Sequence, residues 1–170
     1  MQVSIRKFDR SDIPKKVEWI NDSRNNRFLH YDFPLCVEKT EKWFDTNSDR
    51  TDRWDAVMEA DGIPVGTLGL LSIDRKNLKA EFYIAMGEVD YKGKGVAKQA
   101  SILLLRHAFE VLGLNRIYLF TESENIPAQR LFEKIGFSRE GLLKQDIMSH
   151  GRLVDRMVYS FLKEDWEQSC

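Results

Sequence analysis

The residues best suited to chemistry form a short loop with two glycines, Lys92-Gly93-Lys94-Gly95-Val96-Ala97. The sequence before this loop has the alternation of a β-strand, and the sequence after it has the apolar spacing of a helix. Glycine permits backbone conformations with positive φ and places no Cβ between the amides and a ligand. The first turn of a helix adds unpaired N–H groups and a partial positive charge. This combination favours the binding of a phosphate group.

Two well-known phosphate-binding loops do not fit this sequence. A Walker loop ends in Gly-Lys-Ser/Thr, whereas Gly95 follows Lys94 here. A dinucleotide-binding fingerprint needs a third glycine where this sequence has Lys98, and it needs a parallel βαβ unit. Taken alone, the loop is also compatible with a solvated turn that carries exposed lysines.

A second segment, about thirty residues further along the chain, changes this interpretation. Its key residues are Asn125, Ala128, Leu131, Lys134, Gly136 and Phe137. Together, the loop and this segment resemble the two cofactor motifs of the GNAT superfamily of acetyl-CoA-dependent N-acetyltransferases. These motifs read Gln/Arg-x-x-Gly-x-Gly/Ala and Asn-x-x-Ala-x-x-Leu-Tyr-x-Lys-x-Gly-Phe. The order of elements matches as well, and the resemblance is weakest between residues 20 and 55.

Three shorter segments resemble one branch of this superfamily. They are Ala80-Glu81-Phe82, Asn115-Arg116-Ile117-Tyr118 and Gly151-Arg152. The branch contains spermidine N-acetyltransferases, ribosomal-protein alanine N-acetyltransferases and nucleotide-aminosugar N-acetyltransferases. The resemblance therefore implies that the acceptor is an amine, and it leaves the kind of amine open.

The resemblance also implies where acetyl-CoA binds. The residues implied to bind this cosubstrate are Ile84, Ala85, Met86, Lys92, Gly93, Lys94, Gly95, Val96, Ala97, Asn125 and Ala128. The backbone of the first three would bind the pantetheine arm, and one of their N–H groups would stabilise the oxyanion. The loop would bind the pyrophosphate, with Lys92 in place of the usual Gln or Arg. Asn125 would contact the pantetheine, or it would act only as the N-cap of its helix.

Two side chains on the strand before the loop are candidates for proton transfer. Family members with a glutamate at the position of Glu81 use it as a general base, often through a water molecule. The alternative is an exposed carboxylate that pairs with Lys79 or another cation. Tyr83 lies two residues further along and therefore on the same face of the strand. It either supplies a proton or packs as a half-buried side chain.

The sequence departs from the family pattern at Phe132, where many relatives carry a tyrosine proposed as the general acid. A thiol has a pKa of about 8.5, so the thiolate leaves easily and turnover does not require that acid. The base matters more. An amine with a pKa of about 10.4 is neutral in roughly one molecule in 2,500 at pH 7, which costs about 4.6 kcal/mol. An α-amine with a pKa of about 7.8 costs nearer 1 kcal/mol.

The acceptor segment is implied to be residues 24–32, because in this fold the chain between the first two helices lines the acceptor site. Arg24 and Arg27 could recognise a phosphate or a carboxylate, as on a nucleotide sugar or a protein terminus. The acidic residues that follow would suit a polyamine, but they alternate with basic ones. These acids are Glu38, Glu41, Asp45, Asp49 and Asp52. A solvated loop is the remaining interpretation, and the sequence does not decide among these.

The rest of the sequence predicts the framework that positions these residues. Alternating apolar residues predict strands over 3–8, 54–59, 64–73, 79–86, 116–121, 138–147 and 152–163. Helical spacing predicts a helix capped by Ser11, one around 37–45, one over 95–112 and one from Asn125 to before Gly136. We therefore expect one α+β domain over residues 1–170: a mostly antiparallel mixed sheet of about seven strands, flanked by about four helices.

The composition argues against several other kinds of protein. Lys and Arg total 26 against 27 Asp and Glu, and this net charge of -1 disfavours nucleic acid as the main partner. No apolar run approaches the ~20 residues that cross a bilayer, and the N-terminus lacks an apolar signal-peptide core. Cys36 and Cys170 are far apart, and His30, His107 and His150 share no ligand spacing, so we expect no metal. These features predict a cytoplasmic protein without a membrane partner.

We therefore expect a cytoplasmic N-acetyltransferase in which a primary amine attacks acetyl-CoA directly in a ternary complex. Two other hypotheses remain open. One is a non-catalytic regulator that binds acyl-CoA, in which Phe132 marks lost activity. The other is an interaction domain that uses the aromatic segment 28–33. Similar proteins are commonly dimeric and the C-terminal hairpin offers a contact surface, so a homodimer also remains open.

Overall fold

A seven-stranded sheet runs through the computed structural model, which describes residues 1–169. The strands are β1 (Val3–Lys7), β2 (Trp54–Ala60), β3 (Ile63–Asp74), β4 (Lys79–Met86), β5 (Arg116–Glu122), β6 (Ser138–Ser149) and β7 (Arg152–Leu162). The helices are α1 (Ile13–Asn21), α2 (Val37–Asn47), α3 (Val96–Arg106), α4 (Ile126–Ile135) and α5 (Lys163–Ser169). The strand order is β1-β2-β3-β4-β5-β7-β6, and only β4 and β5 pair in parallel. This architecture confirms the predicted α+β fold.

The two faces of the sheet pack against different helices. Ala56 and Met58 on β2 belong to a large core that includes residues of α3 and α4. Val57, between them, packs with Ile13 of α1 and with aromatic residues of α2. Because side chains alternate along a strand, the sheet has an α3–α4 face and an α1–α2 face. On β4, Phe82 points to the α3–α4 face, so its neighbours in sequence point to the α1–α2 face.

The start of the first helix differs from the prediction. A single 3₁₀ turn, Arg10–Asp12, precedes α1. The side chain of Asp9 accepts the backbone N–H of Ser11 at 3.0 Å, and that of Asp12 accepts the N–H of Asp9 at 2.9 Å. The prediction that Ser11 caps the helix was therefore wrong, because two aspartates three residues apart form a reciprocal capping box instead.

The predicted long helix ends in a different geometry, and one helix was missed. α3 ends at Arg106, and a π-helical turn over His107–Val111 follows it. α5 begins directly after β7, and its Trp166 packs against Phe109 and Phe161 with ring centroids 5.8 and 6.3 Å away. Within residues 1–169, no helix has both the length and the apolar character needed to cross a membrane.

Candidate active site

A gap opens in the sheet between β4 and β5 because these strands pair over only three residues. Lys79–Glu81 pair with Arg116–Tyr118, whereas β3 pairs with β4 as far as Met86. From Phe82 to Met86, β4 therefore has a strand partner on one side only. Every second residue of this segment presents its backbone N–H and C=O to the gap. Ile84, Ala85 and Met86, implied by the resemblance to bind the pantetheine, lie in this segment.

The loop after β4 presents backbone N–H groups at the start of α3. Gly93 and Gly95 have φ angles of +76° and +83°, which residues other than glycine rarely adopt. Gly95 is the N-cap of α3. The N–H groups of Gly95, Val96 and Ala97 find no backbone acceptor in the part of the chain that the structure describes. Since Lys94 is also exposed here, the loop fits a pyrophosphate.

Lys92 makes contacts that its position in the motif did not predict. Its ammonium donates to the carbonyl oxygen of Arg24 at 3.0 Å and to Oδ1 of Asn25 at 2.7 Å. The amide of Asn25 in turn donates to the carbonyl oxygens of Gly87 at 2.7 Å and Trp19 at 3.1 Å. Lys92 and Asn25 therefore connect the loop after β4 to the segment between α1 and α2.

Asn125 is the N-cap of α4, as one of the two interpretations predicted. Its side chain accepts the backbone N–H of Ala128 at 3.3 Å. Its amide N–H₂ makes no hydrogen bond within residues 1–169, so it is available to a ligand as well. The cap and a contact to the pantetheine are compatible.

Glu81 lies where the gap begins, because it is the last residue of β4 that pairs with β5. Its carboxylate is half-buried and has no hydrogen-bond or ion-pair partner among the described residues. Burial raises the pKa of Glu81, and the charge of Arg156 opposes this rise. Lys79, the partner considered in the alternative, has its Nζ 5.9 Å from the ring centroid of Tyr118. The carboxylate is therefore free to accept a proton.

Tyr83 is held by Asp55, on the α1–α2 face. Its hydroxyl donates to Asp55 Oδ1 at 2.5 Å, and its ring lies so close to Gly69 that a Cβ there would be 2.7 Å away. Burial and the charge of Asp55 raise the pKa of Tyr83 well above its ordinary value. A tyrosine with a raised pKa donates its proton less readily. These contacts favour the packing interpretation, and the proton-donor role remains a prediction.

Lys16, Tyr31, Arg53, Asp55 and Tyr83 form a group that we call the Lys16 cluster. Arg53 donates to both oxygens of Asp55, from Nε at 2.7 Å and from Nη2 at 2.9 Å. The ring centroid of Tyr31 lies 6.0 Å from Lys16 Nζ, and burial and the charge of Asp55 raise the pKa of Tyr31. The cluster thus brings together α1, the acceptor segment, β2 and β4.

Lys16 is the one member of the cluster that carries a charge without an ion-pair partner among residues 1–169. Its side chain is buried, at 8% exposed, and its Nζ lies 3.8 Å from the ring centroid of Trp43 and 5.4 Å from that of Phe8. Burial lowers the pKa of Lys16 to about 8, against the opposing charge of Asp55 and together with that of Arg53. Contact with aromatic faces stabilises the ammonium only partly.

The predicted arginines of the acceptor segment lie at the surface. Arg24 pairs with Asp22 at 2.7 Å, and Arg27 lies 3.9 Å from Glu124. Their side chains are 69% and 74% exposed. The structure therefore does not bring these two arginines together at the gap.

A cavity of about 470 Å³ lies between the acceptor segment and the turn that joins β6 to β7. It is lined by residues 29–33 and 148–150. His30 Nε2 lies 3.7 Å from Oε1 of the buried Glu122, and burial lowers the pKa of His30 more than the Glu122 charge raises it. Phe33 stacks on His150 with 5.7 Å between ring centroids. Within residues 1–169, no group of three or more His, Cys, Asp or Glu is placed to hold a metal ion.

Phe132 is part of the large core. It is 5% exposed, and its ring centroid lies 6.1 Å from that of Phe82 and 5.9 Å from that of Phe137. The ring of Tyr159 lies 6.2 Å away, and its hydroxyl donates to Glu133 Oε1 at 3.0 Å. Phe132 itself has no proton to donate.

Comparison with known proteins agrees with this geometry. The sequence model of the acetyltransferase (GNAT) domain family matches residues 2–138. YokL, an uncharacterized N-acetyltransferase from the SPbeta prophage of Bacillus subtilis, is 31% identical over 144 residues, which are 85% of this chain and 80% of YokL. Spermidine N(1)-acetyltransferase of Escherichia coli K12 is 30% identical over 151 residues, covering 88% of this chain and 80% of that protein.

A solved structure shows the same fold over nearly the whole chain. Spermidine N-acetyltransferase from Vibrio cholerae, in complex with CoA and spermine, matches with a TM-score of 0.90 and 25% identity over 98% of each chain. Fold, loop and relatives together define an acetyl-CoA-dependent N-acetyltransferase. The chain belongs to the GNAT family, which confirms the resemblance carried by its two motifs.

Proposed function

We propose that the enzyme transfers an acetyl group from acetyl-CoA directly to a primary amine in a ternary complex, with Glu81 as the general base. The observation that carries this proposal is the unpaired, half-buried carboxylate at the point where β4 and β5 separate. The proposal treats residues 1–170 as one N-acetyltransferase domain. It takes a polyamine, an aminosugar or an N-terminal amine as the acceptor.

The backbone of the gap and the loop would bind acetyl-CoA, which supplies the activated acyl carbonyl. The N–H groups from Gly95 to Ala97 would bind its pyrophosphate, because they are unpaired and lie at a helix N-terminus. The free edge of β4 from Ile84 to Met86 would bind the pantetheine by backbone hydrogen bonds. One of these N–H groups would donate to the carbonyl oxygen as that oxygen gains negative charge.

Glu81 would take a proton from the acceptor, directly or through one water molecule. A raised pKa makes Glu81 more basic and brings its pKa closer to the pKa of an amine. The proton transfer is then less unfavourable. No side chain is assigned to protonate the departing thiolate, since Phe132 offers none and a thiol pKa of about 8.5 makes this step easy. The proposed mechanism therefore needs one general base and several backbone N–H donors from this chain.

The relatives name a class of acceptor, but this chain's own acceptor remains to be tested. The proteins from Escherichia coli and Vibrio cholerae are named as spermidine acetyltransferases. A polyamine is accordingly one of the three proposed acceptors, beside aminosugars and N-terminal amines. A cytoplasmic location, a homodimer and the absence of a nucleic-acid partner also remain predictions.

Replacing Glu81 by glutamine tests the proposal, because Gln keeps the shape of the side chain and removes its basicity. We expect kcat with a responsive amine to fall by about a hundredfold, measured as release of free CoA. The rise in melting temperature on adding acetyl-CoA should remain. Glu164→Gln, at an exposed position of α5, is the matched control and should keep full activity.

Two results would contradict the proposal. Equal kcat for the wild type and Glu81→Gln would show that another group removes the proton. Stabilisation by acetyl-CoA without turnover on any polyamine, aminosugar or N-terminal peptide would favour the non-catalytic regulator.

A further inference from the structure

The charges of the Lys16 cluster do not balance. Asp55 accepts two hydrogen bonds from Arg53 and one from Tyr83, so its charge is already matched by the guanidinium. Lys16 then adds a positive charge for which the described part of the chain provides no hydrogen-bond acceptor. The cluster carries one net positive charge on the same face of the sheet as Glu81.

The Lys16 ammonium is not completely enclosed. No fully enclosed side-chain nitrogen or oxygen among the described residues lacks a hydrogen-bond partner. Since Lys16 Nζ has no such partner, it must keep some exposed surface. The ring centroid of Tyr31 lies 6.0 Å from Lys16 Nζ, and its hydroxyl too makes no hydrogen bond within residues 1–169. Tyr31 also lines the cavity beside the acceptor segment, so one member of the cluster borders that cavity.

Arg156 and His30, on the same face of the sheet, each lie beside a carboxylate. Arg156 Nε lies 2.6 Å from Asp146 Oδ2, and His30 faces Glu122. The carboxylate of Glu81 and the ammonium of Lys16 are charges of opposite sign that have no ion-pair partner among the described residues. Glu81 is two residues before Tyr83 on the same face of β4, and the Tyr83 hydroxyl donates to Asp55 of the Lys16 cluster.

We propose that Lys16, with the hydroxyl of Tyr31, binds an anionic group on the acceptor. The acceptor is then an amine that also carries a carboxylate or a phosphate. Its amine lies toward Glu81, and its anionic group lies toward Lys16. A polyamine is disfavoured, because a second ammonium would approach the net positive charge of the cluster. This inference rests on the proposed function, and it narrows the acceptor class within it.

Two pairs of matched amines test the inference. Glycylglycine and glycylglycinamide share an α-amine and differ by a carboxylate. Glucosamine 6-phosphate and glucosamine share a sugar amine and differ by a phosphate. In at least one pair we expect kcat/KM to be about tenfold to a hundredfold higher for the anionic member, the usual worth of a hydrogen bond to a charged group. The pair that responds identifies the anion.

Lys16→Met removes the charge and keeps the length of the side chain. In this variant we expect the preference for the anionic amine to shrink to about threefold or less, mainly through KM. Lys39→Met, at an exposed position of α2, removes the same charge elsewhere and should keep the preference. Equal kcat/KM for both members of both pairs would overturn the inference. So would a preference that survives in Lys16→Met.

A binding measurement separates this inference from the proposed function. If no amine in either pair is acetylated, the proposed function fails for these amines. The melting temperature of the CoA-saturated protein then decides the inference. A higher melting temperature with glycylglycine or glucosamine 6-phosphate than with its neutral partner, lost in Lys16→Met, would support the anion site. The absence of any such difference would refute it.

Discussion

Lys16→Met should make the protein more stable at neutral pH, although it alters a residue that we assign to the acceptor site. The pKa of Lys16 falls from 10.5 to about 8 on folding because its ammonium loses hydration. At about 1.36 kcal/mol for each pKa unit, this corresponds to roughly 3 kcal/mol of destabilisation by the buried charge. The attraction of the Trp43 ring offsets about 1 kcal/mol of it. We therefore expect Lys16→Met to gain about 2 kcal/mol at pH 7.

The pH dependence gives this prediction its sign. Between pH 8 and pH 10.5, the unfolded wild type binds a proton at Lys16 that the folded state has lost. Stability rises with pH wherever the unfolded state binds more protons, so the wild type gains stability over this range. The methionine variant has no such group. The difference in unfolding free energy between the two proteins should therefore shrink by roughly 1–2 kcal/mol from pH 7 to pH 9.5.

Urea unfolding at several pH values between 7 and 9.5 measures this difference. Other groups, such as Tyr31 and Tyr83, titrate in both proteins and cancel to first order. Lys39→Met should follow the wild type within about 0.5 kcal/mol, because its side chain is exposed. A difference that does not change with pH would refute the reasoning, because it would mean that folding does not lower the pKa of Lys16.

Three further substitutions test the cosubstrate site and the missing acid. Gly95→Ala places a residue with a Cβ at a φ of +83° and should lower stability by about 1 kcal/mol. It should also raise KM for acetyl-CoA. The control is Gly62→Ala, at a φ of +79° in the β2–β3 turn, which should lower stability equally and leave KM unchanged. Asn125→Asp keeps the oxygen that caps α4 and loses the amide, so an unchanged melting temperature with a raised KM for acetyl-CoA would establish the pantetheine contact; an unchanged KM would leave only the cap. Phe132→Tyr places a hydroxyl in the aromatic core and should lower stability by roughly 1–3 kcal/mol without raising kcat; an increase of about tenfold or more in kcat would show that protonation of the thiolate limits turnover.

The cosubstrate side could be predicted from the sequence because its residues are close together in the chain. The loop with Gly93 and Gly95 and the cap at Asn125 are local features, and glycine and asparagine at such positions have few other uses. The short parallel contact between β4 and β5 could not be predicted from the sequence. Its early end after Glu81 depends on strands that are over thirty residues apart, and no local pattern indicates it.

The acceptor side could not be predicted, because distant segments build it. Lys16 did give a signal that was overlooked: it lies three residues after Ile13 and four before Ile20, on the apolar stripe of α1. Nothing local shows that Asp55 and Tyr83 lie opposite it. Anion recognition by Arg24 was one of the alternatives left open, but its neighbour Asp22 pairs with it at the surface. A charge on an apolar helix face was the more informative feature.

The hydrogen bonds of Lys92 and Asn25 have a consequence for how the two substrates influence each other. They join the loop after β4 to the acceptor segment, which borders the cavity. A displacement of the loop would therefore also displace the acceptor segment. Linkage makes such an influence mutual: whatever factor acetyl-CoA applies to the dissociation constant of the amine, the amine applies to that of acetyl-CoA. Each substrate would then change the affinity of the enzyme for the other through this bridge, by the same factor in both directions.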